Sequence, residues 1–105
     1  MVQGLKHIHS SEHAHLDIKI DNIFLDDDLQ IKIADFGYAL RDHRYINVYK
    51  GSSFYRAPEI VAKVPSYDGE KADVFALGCT LYTLIFRAYP FGNAKNIDVR
   101  KNIRY

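Results

Sequence analysis

A helix without a polar face sets the strongest limit on how this chain can fold. Residues 70–87 predict a helix whose apolar side chains, among them Val74, Leu77 and Leu81, fall on every side. Such a helix needs apolar neighbours all round. Its uncharged run, residues 74–86, has 13 residues, whereas a membrane-spanning helix needs roughly 20. We therefore predict a buried helix of a globular domain and no membrane span.

Shorter elements are predicted around this helix. Leu29, Ile31 and Ile33 alternate with polar residues, as expected for a strand. Residues 36–55 follow no period and predict a long loop, which in a compact domain is usually functional. The predicted elements are a helix ending near residue 10, strands at 22–25 and 29–33, a hairpin turn at 26–28, a helical patch at 59–63 and a further helix at 94–104.

Composition narrows the class of protein without identifying it. The 105 residues are enough for one domain at most, and 48% hydrophobic with 26% charged residues is ordinary for a globular chain. A net charge of +1 with interspersed signs gives no broad surface for nucleic acid or anionic lipid. The single Cys79 cannot form an internal disulfide, so we expect an intracellular, cytoplasmic setting and an inert core thiol. Oligomeric state is left open.

Three polar clusters follow one another: HLDIKIDN at residues 15–22, DFG at 35–37 and APE at 57–59. In this order they resemble the catalytic loop, the metal-binding motif and the A-P-E motif of protein kinases. Residues 51–59 are similar to the family's substrate-docking stretch, and residues 73–78 to the start of its buried central helix. The resemblance implies an α+β fold: the mainly helical C-terminal lobe of a kinase with a small β-hairpin, residues 1–105 being a partial domain incomplete at both ends.

The same resemblance implies roles in phosphoryl transfer from ATP to a Ser or Thr hydroxyl of a protein substrate. Asp17 would accept or orient the hydroxyl proton, and Lys19 would contact the transferring phosphate of ATP. Asn22 and Asp35 would bind Mg²⁺ and, through it, ATP. Lys19 favours Ser/Thr specificity, because tyrosine kinases usually lack it at this position.

Further residues match positions with structural or substrate-docking roles in the family. Asp73 would brace the backbone of the catalytic loop, and Ser52 replaces the usual Thr while keeping a hydroxyl. The full set is His15, Phe36, Gly37, Ser52, Ala57, Pro58, Glu59 and Asp73.

Each of these residues also has a purely structural interpretation. Asp17 and Asp21 could be helix caps or turn residues, Asp35 a turn residue and Asn22 a strand-end cap. The four histidines at 7, 9, 13 and 15 match no zinc spacing. The acidic run at 26–28 lacks the Gly and distant Glu of a calcium loop.

Two departures from the family pattern bear on regulation. Leu16 stands where most kinases carry the Arg that pairs with activation-loop phosphate, and Ile20 replaces a Pro. Without that guanidinium, a phosphate on Tyr45, Tyr49, Ser52 or Ser53 would lack its usual partner. We expect any activity to be independent of that contact.

The chain lacks the family's Gly-rich loop and strand lysine, and we expect it alone to be neither well folded nor catalytic. We interpret it as a segment of a Ser/Thr kinase. Two alternatives remain: a truncated or pseudokinase-like binding module, and an incomplete gene product without function of its own.

Overall fold

The computed structural model describes residues 1–42 and 46–91, which form three helices and two antiparallel two-stranded sheets. The helices are α1 (Val2–Ser10), α2 (Pro58–Val61) and α3 (Gly69–Phe86), with one 3₁₀ helix at Ile20–Asn22. The strands are β1 (His13–Ala14), β2 (Ile23–Leu25), β3 (Ile31–Ile33) and β4 (Leu40–Arg41). This architecture is α+β and compatible with part of a protein kinase; the lobe assignment stays a prediction.

Strands β2 and β3 form the expected hairpin, with Ile23 opposite Ile33. Asp26 closes its turn: Oδ1 accepts hydrogen bonds from the backbone N–H groups of Gln30 at 2.8 Å and Asp28 at 3.0 Å. The bond from Gln30 is the main reason that the pKa of Asp26 lies below its usual value. β3 begins later than predicted because Leu29 adopts a φ of 59°, which belongs to the turn.

The second sheet is absent from the sequence prediction. β1 pairs with β4 over two residues, His13 with Arg41 and Ala14 with Leu40. Strands of two residues are too short to show an alternating pattern. Their pairing joins the segment just before residues 15–22 to the segment that follows residues 35–37.

Helix α3 matches its predicted range within one residue at each end. Asp68 caps it, since its Oδ1 accepts a hydrogen bond from the N–H of Glu70 at 2.9 Å. It ends where Arg87 adopts a φ of 54°. The expected enclosure on all sides is not provided by residues 1–42 and 46–91: Val74 is 58% and Ile85 72% exposed. None of the described helices is long and apolar enough to cross a membrane.

Residues of α3 belong to two separate apolar clusters. The first contains Ala72 of the helix and the second Ala76, Leu77 and Cys79. Leu16 belongs to the first cluster and Ile18 to the second. Residues 16–18 are therefore anchored on both sides, and Asp17 is held between two buried apolar side chains. Cys79 is a buried free thiol, whereas the helix predicted at 94–104 lies outside the described residues.

Candidate active site

The loop that carries Asp17 is braced by a buried carboxylate. Asp73, 1% exposed, accepts hydrogen bonds from the backbone N–H groups of His15 (2.7 Å) and Leu16 (2.8 Å). Leu16 has a φ of 64°, in the left-handed region that costs a residue with a Cβ about 1–3 kcal/mol. The two charge-assisted bonds to α3 offset that cost and fix the direction in which Asp17 leaves the loop.

A charged and polar group, which we term the Asp17 cluster, consists of Asp17, Lys19, Asn22 and Ser52. The Ser52 hydroxyl donates to Asp17 Oδ1 at 2.8 Å and accepts from Lys19 Nζ at 2.9 Å. Nζ also lies 3.7 Å from Asp17 Oδ2. A hydroxyl therefore lies between the carboxylate and the ammonium and bonds to both.

Asn22 stabilises the same carboxylate from the other side. Its Nδ2 donates to the backbone oxygen of Asp17 at 2.8 Å and to Asp17 Oδ2 at 3.2 Å. Because the amide nitrogen makes both bonds, the remaining polar atom of the side chain is Oδ1. An amide oxygen of this kind is a suitable ligand for a hard cation.

Asp35 lies at the same end of the β2–β3 hairpin as Asn22. The residue before it, Ala34, donates its N–H to the backbone oxygen of Asn22 at 2.9 Å. Asp35 is exposed, has a φ of 61°, and accepts a hydrogen bond from Gly37 N at Oδ1 (3.1 Å). The hairpin register thus brings an amide and a carboxylate to one edge, although they are 13 positions apart in the sequence.

These two side chains fit a Mg²⁺ that is shared with a substrate phosphate. Protein sites for this ion commonly supply one or two carboxylates, and phosphate and water complete the coordination. In the described part of the chain, no three His, Cys, Asp or Glu side chains converge to hold a metal by themselves.

His15 links the loop to the end of β3. Its Nδ1 accepts the N–H of Asp17 at 3.2 Å, so Nε2 carries the proton and donates to the oxygen of Ala34 at 2.9 Å. The Phe36 ring packs edge-on against the imidazole, with centroids 5.0 Å apart. These contacts give His15 a structural role and place residues 35–37 beside the loop.

The docking stretch, residues 51–59, lies directly against the loop. Gly51 has a φ of 105°, and a Cβ there would come within 2.9 Å of the Leu16 oxygen, so only Gly fits. Arg56 Nε donates to the Gly51 oxygen at 2.8 Å. The pocket that the stretch and the loop line together with α2 and α3 measures about 10 Å³, near the minimum for one water. Packing therefore fixes the position of Ser52.

The A-P-E residues begin α2. Ala57 and Pro58 are buried, and Pro58 occupies the first turn of the helix, where its missing N–H costs no hydrogen bond. Glu59 is half-buried, and within residues 1–42 and 46–91 no cation forms an ion pair with it. It lies close enough to Tyr67 to raise the pKa of that phenol.

Three of the four histidines at 7, 9, 13 and 15 contact oxygen atoms of other residues. His9 Nε2 lies 2.9 Å from Asp73 Oδ2, and His13 Nδ1 lies 2.6 Å from the Ser11 oxygen. Sequence reasoning missed the contact of His9 with Asp73, which joins residues 64 positions apart. It also missed the contacts of Tyr49 and Tyr67 described below. A helical face that carries His9 among polar residues gives no signal for such a partner.

Comparison with known proteins identifies the family to which this arrangement belongs. The family described as "Protein kinase domain" matches residues 1–105. The chain belongs to the protein kinase family. Its resemblance to protein kinases, inferred from the three motifs, is thereby confirmed.

Similar proteins within the kinase family are named as Ser/Thr or SNF1-like kinases. The chain is 41% identical to NUAK family SNF1-like kinase 1 of Mus musculus over 93 residues, covering 87% of the chain and 14% of that protein. It is 45% identical over 87 residues to serine/threonine-protein kinase pakE of Dictyostelium discoideum, covering 80% and 9%. It is 38% identical over 108 residues to serine/threonine-protein kinase SAPK2 of Oryza sativa, covering 99% and 31%. The chain spans less than a third of each of these kinases.

Proposed function

We propose that this chain carries the phosphoryl-transfer residues of a Ser/Thr protein kinase. The observation that carries the proposal is the Ser52 hydroxyl held between Asp17 and Lys19 at 2.8 and 2.9 Å. A hydroxyl of a Ser or Thr substrate has the same chemistry as that side chain. The names of the relatives support the same acceptor class.

Asp17 is the proposed proton acceptor. A substrate hydroxyl oxygen forms a bond to the γ-phosphorus of ATP, the bond from that phosphorus to the bridging oxygen breaks, and ADP leaves. The hydroxyl proton passes to the Asp17 carboxylate, which Asn22 holds by a 3.2 Å hydrogen bond and Lys19 approaches at 3.7 Å. Positioning of this kind supplies most of the catalysis in phosphoryl transfer.

Lys19, Asn22 and Asp35 are proposed to neutralise the negative charge of the phosphate groups, Lys19 directly and the other two through a metal ion. The Lys19 ammonium, half-buried beside Asp17, is placed to neutralise charge on the transferring group. Asn22 Oδ1 and the Asp35 carboxylate are the proposed metal ligands. A bound Mg²⁺ would neutralise phosphate oxygens of ATP there.

A chimera tests the proposal. The chain replaces its matching segment in rice SAPK2, and transfer of phosphate from ATP with Mg²⁺ to serine, threonine and tyrosine peptides is measured. We expect activity on serine or threonine peptides, and a loss of about 10²–10⁴-fold for Asp17→Asn. The matched control is Asp27→Asn, a change of an exposed hairpin carboxylate with the same loss of charge.

Folding and nucleotide binding are measured on the same proteins. A chimera that folds and binds ATP yet is no more active than its Asp17→Asn variant would contradict the proposed chemistry and favour a non-catalytic binding module. Preference for the tyrosine peptide would contradict the proposed Ser/Thr acceptor but not the proposed phosphoryl transfer.

A further inference from the structure

A short contact joins the segment before the docking stretch to the segment that leads into α3. Ile46 and Tyr67 form an isolated antiparallel bridge, in which each N–H donates to the other residue's oxygen at 2.9 and 3.0 Å. Ile46 is 4% and Tyr67 5% exposed. The bridge is thus buried, although it belongs to no sheet.

Two tyrosines reinforce the bridge reciprocally. Tyr67 donates its hydroxyl to the oxygen of Val48 at 2.5 Å, and Tyr49 donates to the oxygen of Val64 at 2.6 Å. The two rings stack with centroids 6.3 Å apart and planes inclined by 28°. Each segment therefore gives one phenol to the backbone of the other. We call this arrangement the tyrosine clasp.

The clasp lies against the catalytic loop on an apolar surface. Ile46 and Tyr67 belong to the same buried cluster as Leu16, and Tyr49 packs against that cluster. Leu16 directly precedes Asp17, and Tyr49 is two residues before Gly51, where an added Cβ would lie 2.9 Å from the Leu16 oxygen. Hydrocarbon burial and two phenol hydrogen bonds therefore hold residues 46–49 at this loop.

The chemistry of the clasp favours a permanently neutral Tyr67. Burial, with the nearby carboxylates of Asp73 and Glu59, raises its pKa to about 12. The hydroxyl therefore remains a donor to Val48 over the whole physiological range. Loss of this hydrogen bond should therefore make the bridge open more often.

We propose that Tyr49 and Tyr67 are positioning residues, which hold residues 46–52 so that Ser52 meets Asp17 and Lys19 without any phosphate on the segment. The kinetic part of this inference rests on the proposed function. The structural part does not, because it concerns the order of residues 46–52 alone.

Amide hydrogen exchange on the SAPK2 chimera that contains the chain tests the structural part. In Tyr49→Phe and in Tyr67→Phe we expect the amides of Ile46 and Tyr67 to exchange about five-fold faster, the factor that corresponds to about 1 kcal/mol. In the double variant the two amides should exchange little faster than in either single variant, because both phenols stabilise the same bridge and their effects do not add. Tyr82→Phe, which removes the hydroxyl of an exposed tyrosine on α3, should change neither amide.

Several outcomes would overturn the structural part. One is unprotected Ile46 and Tyr67 amides in the unchanged chimera, and another is equal exchange in all five proteins, the unchanged chimera and its four variants. Exchange that increases equally throughout α3 would indicate general destabilisation, and the clasp would then have no separate role. Tyr49→Phe keeps the ring of a half-buried residue and should remain folded even if Tyr67→Phe does not. The exchange of its Ile46 and Tyr67 amides can then still be compared with the exchange of the amides in α3.

Kinetics in the SAPK2 chimera test the positioning role. Both Phe variants should raise the KM for the peptide about five-fold and leave the KM for ATP unchanged. Ile60→Val, a loss of one methyl group in the same buried cluster, provides a variant of reduced stability whose peptide KM should stay constant. A peptide KM that rises equally in Ile60→Val would refute positioning. If the chimera is inactive but exchange is altered in the Phe variants, the proposed function is refuted and the structural part of the inference still holds.

Discussion

His9 Nε2 lies 2.9 Å from Asp73 Oδ2, the same oxygen that accepts the backbone N–H of His15 at 2.7 Å. Helices α1 and α3 thus meet at one buried carboxylate, whose other oxygen binds the N–H of Leu16 at 2.8 Å. With three donors on two oxygens, Asp73 determines the course of the loop that presents Asp17. Its hydrogen bonds connect the helical scaffold to the proposed chemistry.

Replacing this carboxylate should destabilise the chain. In Asp73→Asn one side-chain atom becomes an N–H donor that faces a backbone N–H donor, and a buried unsatisfied group costs about 1–3 kcal/mol. We expect that decrease in the free energy of unfolding, measured in urea on the SAPK2 chimera that contains the chain. Asp27→Asn, on the exposed turn, should change it by less than about 0.5 kcal/mol. Equal effects of the two substitutions would show that the Asp73 contacts contribute nothing measurable.

Two glycines give opposite predictions for the same substitution. Gly51→Ala places a Cβ 2.9 Å from the Leu16 oxygen at a φ of 105°, and should cost about 1–3 kcal/mol from strain. Gly78→Ala lies inside α3, where no described residue outside its own helical turn comes within 4 Å of the new Cβ, and it should stabilise the chain by about 0.5–1 kcal/mol. Thermal unfolding of both variants checks the sign. Stabilisation by Gly51→Ala would contradict the close approach of the docking stretch to the loop.

The sequence predicts the motif residues better than it predicts their contacts. Asp17, Lys19 and Asn22 lie within six positions, so their proximity follows from a local loop. Ser52 joins them from 35 positions away through a packing arrangement that no periodicity encodes. The hairpin and α3 were predictable because alternation and a long apolar run determine them. The β1–β4 pair is too short to produce a pattern, and tertiary contacts decide it.

Stability should also depend on alkaline pH through Tyr67. Its folded-state pKa of about 12 lies above the ordinary value of 10, so the folded chain binds the phenolic proton more tightly than the unfolded chain. The contribution of Tyr67 is therefore complete below pH 10 and is lost as the pH rises through 12. Burial also raises the pKa of Tyr55, so Tyr67→Phe should reduce the alkaline loss of stability without abolishing it. Urea unfolding across this pH range compares the two chains, and identical slopes would contradict a buried Tyr67 hydroxyl.

Substitutions of Leu16 test whether the site between this residue and residues 46–49 is apolar. The side chain is 5% exposed and packs in a cluster with Ile46, Ile60 and Tyr67, where a guanidinium would enter an apolar site. We expect Leu16→Arg to lower the free energy of unfolding by about 3–5 kcal/mol, the range for an uncompensated buried charge. Leu16→Met keeps the volume and the apolar character, and should cost less than about 1.5 kcal/mol. Urea unfolding of both variants separates the effect of charge from that of shape. If Arg is tolerated as well as Met, the segment 46–49 has room for a guanidinium at this position, and hydrocarbon burial is not what holds the segment against the loop.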